Sequence, residues 1–219
     1  MNKEVQEDIQ FFMNRRQLNI DISFRCPLEC PRCQRQVSWR KPVWRDNPLK
    51  VPGRDLTLDE IDKISDYYDD FLFCGQLSDP VHHPKFPEIL KMLYKKKIKA
   101  EVSTAASQKS KDFYIKCFEA NPNAMWVFGI DGLPEESHKY RINQDGQKLF
   151  DIMIESKKHL ENTPTWQYIV FSYNEDHIEQ AKKLAKENGV QFMLLQSSRW
   201  LGNDDPLKPK KKGLSFNAL

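Results

Sequence analysis

At 219 residues with 39% hydrophobic side chains, the chain can bury a sizeable core, and one α/β domain is a simpler reading than two small ones. The net charge of +3 is slight, so composition alone does not call for a nucleic-acid partner. Five cysteines, three of them clustered, argue against a disulfide framework and for a reducing compartment, here expected to be the cytoplasm. The start of the chain has no apolar stretch of signal-peptide length, and no run of about 18 apolar residues occurs, so no membrane association is expected.

Residues 1–17 read as an N-terminal helix or arm, with Glu4 to Arg16 a short polar helix without visible chemistry. Leu18 to Ser23 is a strand-like run, followed at once by Cys26-Pro27-Leu28-Glu29-Cys30-Pro31-Arg32-Cys33. Three thiols in this C-x3-C-x2-C spacing make an incomplete cage: a structural zinc site wants four ligands, and so does an iron–sulfur cluster, so one metal position stays open to chemistry. Zinc is the main rival, but no second C-x2-C pair follows to complete its shell, and the spacing after a strand favours iron–sulfur.

Val37 to Leu56, rich in Pro and basic residues and holding Trp39 and Trp44, is a long connection, either a plain surface excursion or a substrate-contacting loop. Thr57 and Glu60 then form a capping box ahead of a helix carrying Leu58, Ile61 and Ile64. From there the pattern alternates. Strands are expected at Phe71 to Cys74, Ile98 to Thr104, Ala124 to Ile130, Thr165 to Phe171 and Val190 to Leu195. Helices are expected at Pro87 to Lys97, Lys111 to Ala120, Gln147 to Leu160 and Glu175 to Asn188, the last capped by Asn174 and stopped by Gly189. Six strands alternating with helices imply βαβ units, right-handed crossovers and a parallel sheet that can wind into an open six-strand barrel. Chemistry in such barrels collects after the C-terminal ends of the strands, and polar groups follow each strand here. They include the cysteines, Gly75 to Pro80, Ser103 and Thr104, Asp131, Ser172 with Asn174, and Gln196 to Ser198.

The cysteine spacing after a strand resembles the signature of the radical S-adenosylmethionine (radical SAM) superfamily. The resemblance implies a partial (β/α)6 parallel barrel over residues 18–198. It implies that Cys26, Cys30 and Cys33 hold a [4Fe–4S] cluster and that S-adenosyl-L-methionine (SAM) is split to a 5′-deoxyadenosyl radical. Gly75 to Pro84 is similar to the family's Gly-Gly-Glu-Pro stretch, which binds the amino group of SAM; Gly75, Ser78 and Asp79 would fill that role, with Ser78 standing where the family has glycine. Phe128-Gly129-Ile130-Asp131-Gly132 through Arg141 resembles the strand-four passage of peptide- and cofactor-modifying members. In those members a serine and a downstream arginine contact the SAM carboxylate, so Arg141, with Ser103 or Thr104, is expected to take the carboxylate and ribose. Gly129 stands at the serine position, and no buried carboxylate partner for Arg141 is evident near it in sequence; Asp131 reads as a turn former. Arg32 replaces an aromatic residue common before the third cysteine and could stack on adenine through its guanidinium plane. Cys74 and Cys117 lie inside expected elements and read as buried hydrophobes.

Residues 199–219 form a basic C-terminal tail with Lys208, Lys210, Lys211 and Lys212. With the 37–56 loop it is expected to form a substrate lid, the lysines steering an anionic substrate. The substrate itself stays open, and the electron would come from an external donor such as a flavodoxin or ferredoxin. The second hypothesis is a zinc-bearing nucleic-acid-binding module using the lysines with Trp39 or Trp44, and a third is a degenerate fold that binds the cluster without turnover.

Overall fold

Apolar residues recurring every second position and stretches of helical period alternate along the chain, and the computed structural model, which describes residues 16–35, 53–75 and 77–214, turns that alternation into one open sheet. Strands β1 (Gln17–Asn19), β2 (Asp70–Phe73), β3 (Lys99–Thr104), β4 (Met125–Gly129), β5 (Thr165–Ile169) and β6 (Gln191–Leu195) lie side by side in sequence order, each parallel to the next. Helices α1 (Leu58–Ser65), α2 (Phe86–Lys95), α3 (Lys111–Ala120), α4 (Gly146–Ser156) and α5 (Ile178–Glu187) make the successive crossovers into β2 to β6. This is a partial α/β barrel, as the alternation predicts. Among the described residues no helix is long and apolar enough to cross a membrane.

The core lies between the outer face of the sheet and the helices. Phe71, Phe73, Val102, Trp126, Phe128, Trp166 and Tyr168 are buried there against Ile61, Phe86, Leu90, Phe118, Leu149, Met153 and Ala181. Edge-to-face contacts knit the aromatic residues together, with ring centroids 4.8 Å apart for Phe118 and Trp126 and 5.6 Å for Phe73 and Phe86. Because side chains alternate along a strand, Glu101, Ser103, Val127, Gly129, Gln167 and Met193 are left for the inner face, where they line a cavity.

Several boundaries differ from those expected. β1 ends at Asn19 rather than Ser23: Ile20 N–H still donates to Leu72 O (3.0 Å), but Asp21 then accepts from the N–H groups of Leu77 and Ser78, across the sheet. The capping box of Thr57 and Glu60 is formed as predicted. Asn174, by contrast, does not cap α5. Its Oδ1 accepts from Phe171 N–H (2.7 Å) and its Nδ2 donates to Ile169 O (3.0 Å), so it fastens the end of β5 and the helix begins only at Ile178. Gly189, at φ +62°, stops α5 as expected. The polar helix expected over Glu4 to Arg16 lies outside the described residues except for Arg16, and so do Trp39 and Trp44.

Residues 199–214 do not hang free of the barrel. Trp200 is buried with Leu28, Cys30, Ala105, Tyr140 and Phe171 in a second apolar cluster, against which Cys26, Cys33 and Leu207 pack. Ser172 N–H donates to Leu207 O (3.0 Å), and Glu175 accepts from the N–H groups of Lys210 and Lys211. Lys211 Nζ pairs with Asp176 at 2.6 Å and Lys208 Nζ donates to Asn203 (3.1 Å), so part of the basic run is spent on local contacts.

Candidate functional site

The cysteine loop leaves β1 at the C-terminal end of the sheet and is held there by hydrogen bonds to its backbone. Cys33 N–H donates to Cys30 O (3.0 Å), Glu29 N–H to Ile142 O (3.2 Å), and Asn143 Nδ2 to Pro27 O (3.1 Å). All three cysteines line one cavity of about 240 Å³ together with Gly75, Ser78, Asp79, Ser103, Thr104 and Arg141. Nine of the ten residues singled out from sequence therefore meet in one place; Arg32 is not in the lining. All five cysteines are free thiols. Burial pushes the Cys26 thiol up to about 12 and the Cys30 thiol up to about 11, the latter opposed by Arg141.

The second loop is shaped by two constraints. Gly75 sits at φ +53°, and a Cβ there would come within 2.2 Å of Ser78 O, so only glycine fits. Ser78 uses its hydroxyl to donate to Asp21 (2.7 Å), and this bond, to a carboxylate the sequence reading passed over, is what a serine gains here over glycine.

Asp79 takes a different part from the one its sequence neighbourhood implied. It is buried, and its carboxylate accepts from Thr104 Oγ1 (2.9 Å) and from the N–H groups of Ala105 (2.9 Å), Ala106 (3.0 Å) and Val81 (3.3 Å). A carboxylate has about four lone-pair sites, so this one has no capacity to spare for an ammonium group. It locks the second and third loops to each other. Thr104 spends its hydroxyl proton in the same knot, whereas Ser103 Oγ has a weak contact to Cys74 Sγ at 3.9 Å.

Arg141 does have a buried carboxylate partner. Asp131 accepts from its Nε at 2.7 Å and, through the other oxygen, from Ile169 N–H at 2.9 Å; it is fully buried rather than a turn former. Burial would lower the basicity of the guanidinium, but Asp131 and Cys30 more than offset it, and Arg141 stays charged. Its Nη2 lies over Gly129, where an added Cβ would approach to 2.9 Å. The strand-four glycine thus makes room for the arginine that a serine would crowd.

Arg32 also departs from expectation. Its guanidinium makes a two-pronged pair with Asp205, Nε to Oδ2 at 2.9 Å and Nη2 to Oδ1 at 3.1 Å, and is not placed to stack in the cavity. The pair ties the cysteine loop to the C-terminal segment 173 residues away. Burial would raise the Asp205 carboxyl, yet Arg32 and the N–H groups of Leu201 and Leu207 hold it below the usual carboxylate range. Because the folded value is the lower one, the stabilisation is present in full above about pH 4 and is lost as pH falls through the folded value. Amide exchange over residues 200–207 should therefore quicken below about pH 4 before the sheet opens, and Asp205→Asn should remove that pH dependence.

Cys117 is buried as expected, but Cys74 is only partly so and lines the cavity. Two buried polar atoms at this end, Gln144 Oε1 and Trp200 Nε1, have no partner among the described residues. Nor do any three His, Cys, Asp or Glu side chains there converge as the ligands of one metal ion do. A [4Fe–4S] cluster takes each thiolate on a different iron, and three cysteines around one cavity suit it in donor chemistry.

No protein-family model matches the chain, and no curated protein matches it in sequence. Solved structures do. The chain is similar to Streptococcus suis SuiB bound to S-adenosylmethionine (TM-score 0.58, 12% identity, 88% of this chain and 43% of that one). It is also similar to another SuiB structure (TM-score 0.63, 12% identity, 96% and 49%) and to methylornithine synthase PylB (TM-score 0.60, 14% identity, 98% and 66%). The chain shares the fold of these SuiB and PylB structures. The chain spans from 43% to 66% of the length of these neighbours.

Proposed function

We propose that the chain is a radical SAM domain in which Cys26, Cys30 and Cys33 hold a [4Fe–4S] cluster and SAM lies across the C-terminal ends of the strands. The observation that carries this reading is the meeting of the three cysteines, Gly75, Ser78 and Arg141 around one cavity in this fold. When bound, such a cluster supplies one electron, drawn from a flavodoxin- or ferredoxin-like donor, that splits the sulfur–C5′ bond of SAM into methionine and a 5′-deoxyadenosyl radical.

The work of the chain is to bind, orient and exclude water. With Asp79 saturated, the ammonium of SAM falls to the backbone carbonyls of Gly75 and Ser78. Arg141, fixed at Nε by Asp131, offers its remaining Nη edge to the SAM carboxylate in the forked geometry that suits such a group. Ser103 is the hydroxyl on β3 left to meet the ribose. Trp200 and Leu207 shield the cysteine loop from water. Arg32 secures that loop through Asp205 instead of contacting adenine.

Metal analysis separates this reading from a zinc-bearing module. After anaerobic reconstitution the protein should carry iron and sulfide in the ratio of one [4Fe–4S] cluster, and Cys26→Ala, Cys30→Ala and Cys33→Ala should each lose it. Colourless protein with stoichiometric zinc would point to the module instead.

A further inference from the structure

Two carboxylates line the cavity, Asp79 and Glu101. The first is saturated by four donors, and other acidic groups around this end are paired, Asp131 with Arg141, Asp205 with Arg32 and Asp55 with Arg25. Glu101 is the exception. It is half-buried on β3, and among the described residues it has neither a hydrogen bond nor an ion pair. It lies two residues before Ser103 on the same inward face, about 6.6 Å deeper in the barrel at ~3.3 Å per residue. The Gln167 carboxamide, on β5 level with Gly129 and Met193, is likewise without a hydrogen bond. Val127, level with Ser103, sets apolar surface between Glu101 and the higher rung of Gly129, Gln167 and Met193.

The cavity is therefore polarised. Arg35 and Arg141 lie at the cysteine end, where an anionic carboxylate would be met, while the deep end presents Glu101, without a partner among the described residues, below the apolar side chain of Val127. A partly desolvated carboxylate without a partner favours a cation over a neutral or anionic group of the same shape. We infer that Glu101 receives an ammonium or guanidinium group of the substrate, with Val127 packing against the alkyl part and Gln167 and Met193 flanking it nearer the strand ends. This rests on the proposed function for the place of SAM, and it replaces the anionic substrate expected from the lysine run.

The test uses the cluster-loaded protein with SAM, and in parallel the metal-free protein. The probes are Nα-acetyl-lysine methylamide, Nα-acetyl-arginine methylamide and the neutral Nε-acetylated lysine analogue. Their binding to wild type and to Glu101→Gln is followed by saturation-transfer NMR and titration. The expected result is that at least one cationic probe binds wild type, about tenfold more weakly in Glu101→Gln, and that the neutral analogue binds neither. SAM affinity should be the same in both proteins, as should the denaturation midpoint, since Glu101 has no partner to lose. Equal binding of cationic and neutral probes, no binding of any probe, or a Glu101→Gln variant weakened for SAM would overturn the inference, the last making Glu101 a SAM contact. If the cysteines load no cluster yet the metal-free protein still discriminates the cationic probe through Glu101, the proposed function falls and this site stands.

Discussion

Asp79→Ala should destabilise the protein by about 3–5 kcal/mol, because it leaves the buried N–H groups of Val81, Ala105 and Ala106 and the Thr104 hydroxyl without their acceptor. Against a total stability of about 5–15 kcal/mol this is a large fraction, so the midpoint of denaturant unfolding should fall steeply with little change in slope. Asp79→Asn keeps one acceptor oxygen but turns an NH2 group toward N–H donors, so it should rescue only part of the loss and remains measurable if the alanine variant does not fold. A carboxylate that served SAM alone would behave otherwise: the midpoint would stay and only SAM affinity would drop.

The second large effect concerns the Arg141–Asp131 pair. Removing either partner leaves the other charge buried and unpaired, so Arg141→Ala and Asp131→Ala should each cost about 3–5 kcal/mol of stability. The double variant should cost less than the sum, since the residues share one interaction. Under conditions where the single variants are folded, their SAM affinities should part company with their stabilities. Arg141→Ala loses a charge-assisted contact worth about 1.5–3 kcal/mol. Arg141→Lys should recover stability better than affinity, because an ammonium can meet Asp131 but cannot fork to a second carboxylate. Equal SAM affinity in wild type and Arg141→Ala would move the carboxylate contact elsewhere.

Local chemistry made much of the architecture legible. The capping box at Thr57, the glycine stop at Gly189 and the strand–helix periodicity each depend on residues a few positions apart, and each gave the element expected. The residues that gather around the cavity were legible too, since parallel strands deliver their C-terminal loops to one end. What a single sequence could not show was partnership across the fold. Asp21 meets Ser78 57 residues away and Arg32 meets Asp205 173 residues away, and neither pair has a spacing that signals it. Asp131 was only ten residues from Arg141, but a carboxylate followed by glycine reads as a turn until its burial is known. Asn174 misled for a related reason: a side chain that can cap a helix can equally fasten a strand end, and here Phe171 N–H was the nearer donor. Glu101 carried no sequence signal at all, because an isolated glutamate within a strand is distinguished only by the cavity it faces.

The central claim is that this cavity brings SAM to a cluster held by three cysteines. Its most direct test is release of 5′-deoxyadenosine by anaerobically reconstituted protein supplied with SAM and a strong one-electron reductant. The account predicts release that requires the reductant and disappears in Cys26→Ala, Cys30→Ala and Cys33→Ala. Full cluster loading and SAM binding without reductant-dependent 5′-deoxyadenosine, or undiminished release from the cysteine variants, would contradict it.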